Sequence, residues 1–384
     1  MTHLLIIIIY LAFVGLGLPD SLLGAAWPSM YADLVMPVSF AGILSLVISL
    51  ITMVSTLFCS RMTARFGTGK VTAFSTAMTA LAMLGYSLST RPWQLFLWAI
   101  PYGLGAGCID AALNNYISLH YSSRHMSWLH CMWGLGASVG PYVIASALSG
   151  GAWQMGYRRV FFIQLALSAV LLCSLPLWKD RTGAVAEEEK STLTLPETLR
   201  LGGMKAGIAV FFCYCAVEQT AGLWAASFLV LQKGVSEETA AGLASLFYIG
   251  ITLGRALNGF VADRFGDHGM TRFGEGVIGA GIVLLFLPLP DRITFAAFLV
   301  IGVGCAPIFP SMIHASPAHF GERNSPAAIG VQMTSAYAGT CAVPALFGLL
   351  VKRLGIGILP WFLALFFVPM LLATEKLRGL ASEE

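Results

Sequence analysis

The sequence contains AGILSL at residues 41–46 and AGLASL, almost the same stretch, at residues 241–246. Three further matches follow the same order, each separated by about 200 residues. They pair Ala25-Ala26 with Ala225-Ala226, RFG at 65–67 with RFG at 264–266, and His120 with His319. Four matches at a nearly constant offset indicate that the chain consists of two related halves.

The composition places both halves in a membrane. Of the 384 residues, 57% are hydrophobic and 11% are charged, whereas a soluble domain carries about 25% charged residues. Twelve apolar stretches, from about 4–27 to about 356–374, are each long enough to cross a bilayer as a helix. We predict an all-α membrane protein with twelve transmembrane helices. No motif for an enzyme, a cofactor, a metal or a nucleic acid occurs.

One hydrophilic stretch, residues 179–203, divides the spans six and six. It predicts an N-terminal half at 1–178, a cytoplasmic linker, and a C-terminal half at 204–384. Lys and Arg are about twice as frequent in the loops on the side of the two termini, which predicts that both termini are cytoplasmic. We expect a monomer in a cytoplasmic (inner) membrane of the bacterial type.

Three carboxylates, those of Asp20, Asp110 and Glu218, lie inside predicted spans. A charge in the hydrocarbon centre costs at least ~2.5 kcal/mol, so such residues usually face a cavity or a partner. Pro19 removes a helical hydrogen bond directly before Asp20, and a broken helix beside an acid is a common way to build a midplane site. The pattern predicts a secondary transporter in which these acids carry ions or contact the solute. The alternative is a structural role between neighbouring helices.

The polar residues around these acids suit a hydroxylated solute. Asp110 and Asn114 are four residues apart and share a helix face, where a carboxylate and an amide can bind vicinal hydroxyls. Glu218, Gln219 and Trp224 combine polar groups with a flat ring, a combination that suits sugars. The further candidates for solute contact are Asn115, Gln332 and His130, because histidine is the side chain that can change its charge near neutral pH and so bind a solute or relay a proton.

Arg255 is the basic residue well inside span 8. An unpaired buried charge is strongly disfavoured, so we predict that Arg255 pairs with Glu218 on the preceding span. Alternatively, Arg255 binds a carboxylate of the solute, which would favour an organic anion over a sugar.

The loops after spans 2 and 8 carry related motifs, SRMTARFGTGK at 60–70 and GFVADRFG at 259–266. Both resemble the G-x-x-x-D-R-x-G-R-K loop of the major facilitator superfamily, although Ala64 replaces the Asp in the first copy. The resemblance implies the major facilitator fold, whose two halves rock around a midplane site. It also implies that Arg65, Asp263 and Arg264 take part in a gating charge network on the cytoplasmic side.

The stretch GLGAGCIDAALNN at 103–115 resembles the fucose–galactose–glucose:proton symporter branch and its sodium-dependent glucose transporter relatives. That branch has an acid shortly before Ala-Ala-x-Asn and another in span 1. The resemblance implies that Asp20 and Asp110 serve proton coupling and sugar recognition. The chain departs from the branch at four positions: Asp110 replaces a Glu, Asn115 replaces a Pro, and His130 and Trp133 replace a Gln and an Asn. Because of these replacements, the resemblance does not identify which sugar is bound, and Trp133 becomes a further candidate for solute contact.

We therefore predict proton-coupled symport of a sugar or sugar-like solute by alternating access, with sodium as the alternative ion. Three other functions stay open. They are a proton-coupled drug exporter, which would need a large apolar pocket, a transporter of small organic anions that uses Arg255, and a sensor that binds sugar without moving it.

Overall fold

The computed structural model describes residues 2–121, 123–178, 193–287 and 290–381. These residues form helices and connecting turns, without a strand among them. Twelve segments are long and apolar enough to cross a membrane, as predicted. The helices are α1 (Thr2–Asp20), α2 (Leu22–Asp33), α3 (Phe40–Phe66), α4 (Thr68–Leu88), α5 (Pro92–His120), α6 (Ser123–Leu148), α7 (Trp153–Cys173), α8 (Leu195–Leu199), α9 (Met204–Lys233), α10 (Glu237–Phe286), α11 (Asp291–His314), α12 (Ser316–Phe320), α13 (Ser325–Leu354) and α14 (Leu359–Ala381).

Two spans depart from one continuous helix. Span 1 consists of α1 and α2, which are separated at Ser21, directly after Asp20. The break beside the acid agrees with the expectation from Pro19. Conversely, α10 contains spans 8 and 9, which meet at Gly266. Its backbone angles, φ 66° and ψ 168°, lie in a region that glycine adopts without a steric penalty, so the chain changes direction there.

We call α1–α7 the N-terminal half and α9–α14 the C-terminal half, following the division expected from the sequence. Residues 179–192 of the expected linker lie outside the described residues, and the remainder contains α8. Within the N-terminal half, α5 packs on α3 and α4, and α1 packs on α6. Within the C-terminal half, α10 packs on α11, and α9 packs on α13 and α14. Among the described residues, the main helix pairs that join the halves are α6 with α10, α3 with α13, α2 with α9, and α2 with α10.

We call the end of the bundle that holds the N-terminus and α8 the inner end, and the opposite one the outer end. The sequence predicts that the inner end is cytoplasmic. The perimeter of the bundle is apolar, with the side chains of Leu57, Phe260 and Trp361 largely exposed. Apolar surface of this kind is the surface that a helical membrane protein presents to lipid.

Contacts between the halves are concentrated at the outer end. The hydroxyl of Ser29 donates to Glu237, and that of Ser149 donates to Oε1 of Glu238 at 2.5 Å. Close to these bonds the backbones touch. A Cβ atom added at Gly24 would lie 2.8 Å from the carbonyl oxygen of Leu223 across the seam. The inner part of span 1, α1, packs on helices of its own half. The bundle is therefore closed at the outer end.

Candidate functional site

Asp20 is the centre of a hydrogen-bond network in the N-terminal half. The hydroxyl of Tyr102 in α5 donates to its Oδ1, and the indole Nε1 of Trp133 in α6 donates to its Oδ2 at 2.8 Å. The carboxylate is thus held by two neutral donors from two helices. Asp20 is nevertheless solvent-exposed, although helices surround it. It therefore borders an opening in the bundle, where an ion or a solute can reach it.

Trp133 also connects this network to the other half. The Cζ atom of Arg255, in α10, lies 5.3 Å from the centre of a Trp133 ring. A guanidinium over an indole face at this distance is a cation–π contact. One residue thus donates to a carboxylate of the N-terminal half and contacts a cation of the C-terminal half.

Asp110 and Asn114 share one face of α5, as their spacing predicts. Nδ2 of Asn114 donates to Oδ1 of Asp110 at 2.9 Å and to its backbone carbonyl at 2.9 Å. Asp110 is half-buried and lies within electrostatic reach of Asp20. Tyr337 of the C-terminal half lies within electrostatic reach of Asp110. The second acid therefore also lies near the seam, and the next residue, Asn115, is exposed.

His130 belongs to α6, and its side chain faces α1. Its ring meets that of Phe13 edge to face, with the ring centres 5.8 Å apart. It is half-buried and three residues from Trp133, so the two side chains lie on one helix face. His130 is also within electrostatic reach of Arg255. It therefore lies beside the contact that joins the halves.

Glu218 is the acid of the C-terminal half, and its side chain is 8% exposed. The described residues offer it no hydrogen bond and no ion pair. Tyr248 of α10 lies within electrostatic reach of both Glu218 and Asp20. This tyrosine therefore lies near the acids of both halves. Gln219, the next residue, is half-buried.

The predicted ion pair between Arg255 and Glu218 is wrong for this conformation. No nitrogen of Arg255 lies within 4.0 Å of a Glu218 oxygen, since neither residue occurs among the ion pairs of the described part. The physical reason is the direction of the arginine side chain. Arg255 faces α6 of the other half, where the ring of Trp133 receives it.

Two predicted solute contacts lie inside the C-terminal half instead. Trp224 is fully buried, and its Nε1 donates to the carbonyl oxygen of Pro344 at 3.2 Å. Gln332 is also fully buried, and its Oε1 accepts a hydrogen bond of 2.9 Å from Ser316 at the inner end. Neither side chain presents surface to a solute in this conformation. We therefore remove both from the candidate site.

The predicted gating residues lie at the inner end. Arg65 and Arg264 are exposed, and each guanidinium lies over the ring of the next residue, 5.3 Å from Phe66 and 5.9 Å from Phe265. Neither arginine forms an ion pair within the described part of the chain. The side chain of Asp263 lies outside that part. The gating role stays a prediction.

Tyr102 and Tyr248 were missed by the sequence reasoning. Tyr102 precedes Asp110 by eight residues, about 12 Å or two turns along the same helix face. Tyr248 precedes Arg255 by seven residues, which again places both on one face. In both cases the sequence signal was a tyrosine about two turns before a charged residue inside a span.

Comparisons with known proteins agree with this architecture. Bypass of stop codon protein 6 of Saccharomyces cerevisiae is 24% identical over 337 residues, which are 76% of this chain and 67% of that protein. The glucose/mannose transporter GlcP of Bacillus subtilis is 24% identical over 258 residues, 63% of each chain. The alignments thus span about two thirds of these relatives.

Among solved structures, the nucleoside transporter NupG superposes with a TM-score of 0.76 at 16% identity, over 97% of this chain and 98% of that one. This likeness shows the fold. The family model described as Major Facilitator Superfamily matches residues 9–291 and 206–380, which together include most of the sequence. The chain therefore belongs to the Major Facilitator Superfamily and is a membrane transporter.

Proposed function

We propose that this protein takes up a sugar or sugar-like solute together with a proton, by alternating access. The observation that carries the proposal is the setting of Asp20, an accessible carboxylate held by two neutral donors beside the contact between the halves. The similarity to a glucose/mannose transporter supports a sugar as the solute.

The proton has a physical role in this cycle. An ionised Asp20 is stabilised by its two donors while the site is open. Protonation removes the charge that would otherwise have to be enclosed when the halves close around it, where a bare charge is costly. The membrane potential adds ~2.3 kcal/mol per charge per 100 mV, which supports about fiftyfold accumulation.

The solute would lie between the two halves. On one side, Asp110 with Asn114 offers a paired acceptor and donor, with Asn115, His130 and Trp133 beside it. On the other side, Glu218 is a carboxylate without a protein partner in the described residues, and Gln219 adds an amide. Hydroxyl groups can donate to the two carboxylates and accept from the amides, which is the chemistry of sugar recognition.

Uptake into proteoliposomes tests the proposal. Purified protein is supplied with labelled hexoses, with and without an inward proton gradient and, separately, a sodium gradient. We expect accumulation of at least one hexose that depends on the proton gradient. Equal uptake under all conditions would contradict coupling to the proton gradient. If none of the hexoses showed counterflow, sugars would be excluded as the solute class.

A second candidate solute is a small organic anion. The observation in its favour is that Arg255, inside span 8, has no carboxylate within ion-pair distance in the described structure. A guanidinium is suited to bidentate binding of a carboxylate. Small mono- and dicarboxylates therefore belong in the same uptake panel, and competition between them and hexoses will show which class the site prefers.

A further inference from the structure

A cavity of about 360 Å³ lies at the inner end of the C-terminal half, away from the site described above. It is formed where the segment after α8 meets the start of α9 and the end of α14. Its size is within the range of about 300–1,000 Å³ that is typical of ligand sites. The described residues that line it are Leu199, Arg200, Leu201, Gly203, Lys205, Ala206 and Lys376.

The lining is strongly basic. It includes Arg200, Lys205 and Lys376, and no Asp or Glu is among its described residues. None of the three cations forms an ion pair within the described structure. The nearby acid Glu375 already pairs with two other arginines, Arg272 and Arg378. Three unpaired like charges around one cavity repel each other, and an anion bound between them would offset that repulsion.

We propose that this cavity binds the phosphate headgroup of an anionic phospholipid of the inner leaflet. Arg200 and Lys205 would hold the phosphate from the segment after α8 and the start of α9, and Lys376 would hold it from α14. Binding would fasten the end of the linker segment to the last transmembrane helix. The proposal does not depend on which solute is transported.

The location favours a lipid over a soluble phosphate. Lys376 belongs to the last turns of a helix that is long and apolar enough to span the membrane, so its charge lies near the headgroup level. Leu195 is 62% exposed and Leu199 is 40% exposed beside the cavity, which gives acyl chains an apolar surface. The sequence also predicts that this end faces the cytoplasm, where anionic lipids attract clustered Lys and Arg.

The test compares full-length protein in nanodiscs of phosphatidylcholine alone with nanodiscs that also contain phosphatidylglycerol. The readouts are the midpoint of thermal unfolding and the phosphatidylglycerol retained by the protein in native mass spectrometry. We expect phosphatidylglycerol to raise the midpoint and to be retained. Replacing Arg200, Lys205 and Lys376 by Gln should weaken retention roughly fivefold for each charge removed, the fold-change that corresponds to about 1 kcal/mol.

A matched control distinguishes lipid binding at this cavity from a general effect of positive surface charge. A control variant carries Gln at Arg61, Lys70 and Arg323, three exposed cations elsewhere at the same end. It should retain phosphatidylglycerol as the wild type does, and equal loss in both variants would overturn the proposal. If the triple variant fails to fold, Lys376→Gln alone supplies the measurement.

Two further arms distinguish other occupants. Inorganic phosphate added to phosphatidylcholine nanodiscs should leave the unfolding midpoint unchanged. A shift with phosphate but none with phosphatidylglycerol would overturn the lipid assignment. Replacing Glu187, Glu188 and Glu189 by Gln should leave lipid retention unchanged, whereas a large gain in retention would show that the acidic linker occupies the cavity instead.

Discussion

The indole N–H of Trp133 donates to the carboxylate of Asp20 across the contact between α6 and α1. The same indole lies under the guanidinium of Arg255 from the other half. In the proposed cycle, a proton bound to Asp20 would remove the negative charge that the N–H group faces, and Trp133 would relay this change to Arg255. The two contacts therefore connect the proposed ion site with the contact between the halves.

Trp133→Phe should impair coupling more than binding. Phenylalanine keeps an aromatic face for Arg255 but removes the hydrogen bond to Asp20, and a bond to a charged group is worth about 1.5–3 kcal/mol. We expect the solute accumulation driven by a proton gradient to fall roughly tenfold or more, while counterflow without a gradient persists. Both rates are measured in proteoliposomes.

The matched control is Trp128→Phe, five residues earlier on the same helix and 41% exposed. It should leave both rates close to those of the wild type. Equal losses of accumulation and counterflow in Trp133→Phe would contradict the coupling role and indicate a defect in folding or solute binding.

Asp110→Asn should abolish accumulation against a gradient. The amide keeps the size of the side chain but cannot take up a proton, and Asn114 loses a charged acceptor. We expect labelled solute to equilibrate without accumulating, while counterflow remains measurable. Asp33→Asn, at the outer end of α2, is the control and should accumulate solute normally. Unchanged accumulation in Asp110→Asn would remove this residue from the coupling mechanism.

A double-mutant cycle tests the separation of Arg255 from Glu218. Because no ion pair joins them, the changes in unfolding free energy for Arg255→Gln and Glu218→Gln should add within about 0.5 kcal/mol. Breaking a real buried pair by removing one partner would cost about 3–5 kcal/mol, and the double mutant would recover much of it. Thermal unfolding of the three variants gives the coupling energy.

The sequence predicts the fold well because membrane folds are constrained by few quantities. Span length, hydropathy and the repeat offset together specify twelve helices in two related halves. The stacking of Asn114 on Asp110 was predictable for a similar reason, since residues four apart on a helix are always neighbours.

Contacts between helices were predicted less well, because they depend on how each helix is rotated about its axis. The repeat offset places Glu218 at the depth of Asp20 but does not fix the direction in which Trp224, six residues later, points. Trp224 faces Pro344 within its own half. Arg255 likewise faces Trp133, a residue more than 100 positions away in sequence, and no local pattern encodes that contact.

Weakening the outer closure should shift the protein toward an outward-open state. Glu237→Ala and Glu238→Ala remove the acceptors for Ser29 and Ser149. The Ser29–Glu237 bond is partly buried and the Ser149–Glu238 bond is exposed. A bond to a charged group contributes about 1.5–3 kcal/mol where it is shielded from water and less where it is exposed, so the open population should rise at least roughly threefold per bond. Spin labels at Val35 and Leu354, exposed at the outer end of each half, report the separation in a cysteine-free background.

The control is Glu322→Ala, which removes an exposed carboxylate at the inner end. Its distance distribution should match that of the unmodified protein. If Glu237→Ala and Glu238→Ala leave the distribution unchanged as well, these bonds do not stabilise the closed outer end.

His319 should make the stability of the C-terminal half depend on pH. Burial lowers the pKa of His319 below the ordinary 6.5, and the nearby His268 ring adds to this effect, while Asp267 opposes it. A histidine whose pKa is lower in the folded than in the unfolded protein stabilises the fold above pH 6.5. That contribution is lost as the pH falls through the lowered value.

Thermal unfolding between pH 8 and pH 5 tests this expectation. The midpoint of the wild type should fall over this range, and His319→Gln, which does not titrate, should lose less. Equal falls in both proteins would show that other groups cause the pH dependence.

Beside the side-chain bonds of the outer end, main chain meets main chain where Gly24 approaches the carbonyl oxygen of Leu223. Where two backbones meet without intervening side chains, no rotamer has to withdraw before the surfaces separate. The same close approach leaves no space for a side chain at position 24. A methyl group at position 24 would keep the two backbones apart, so that the outer end could not close fully and the transport cycle could not be completed.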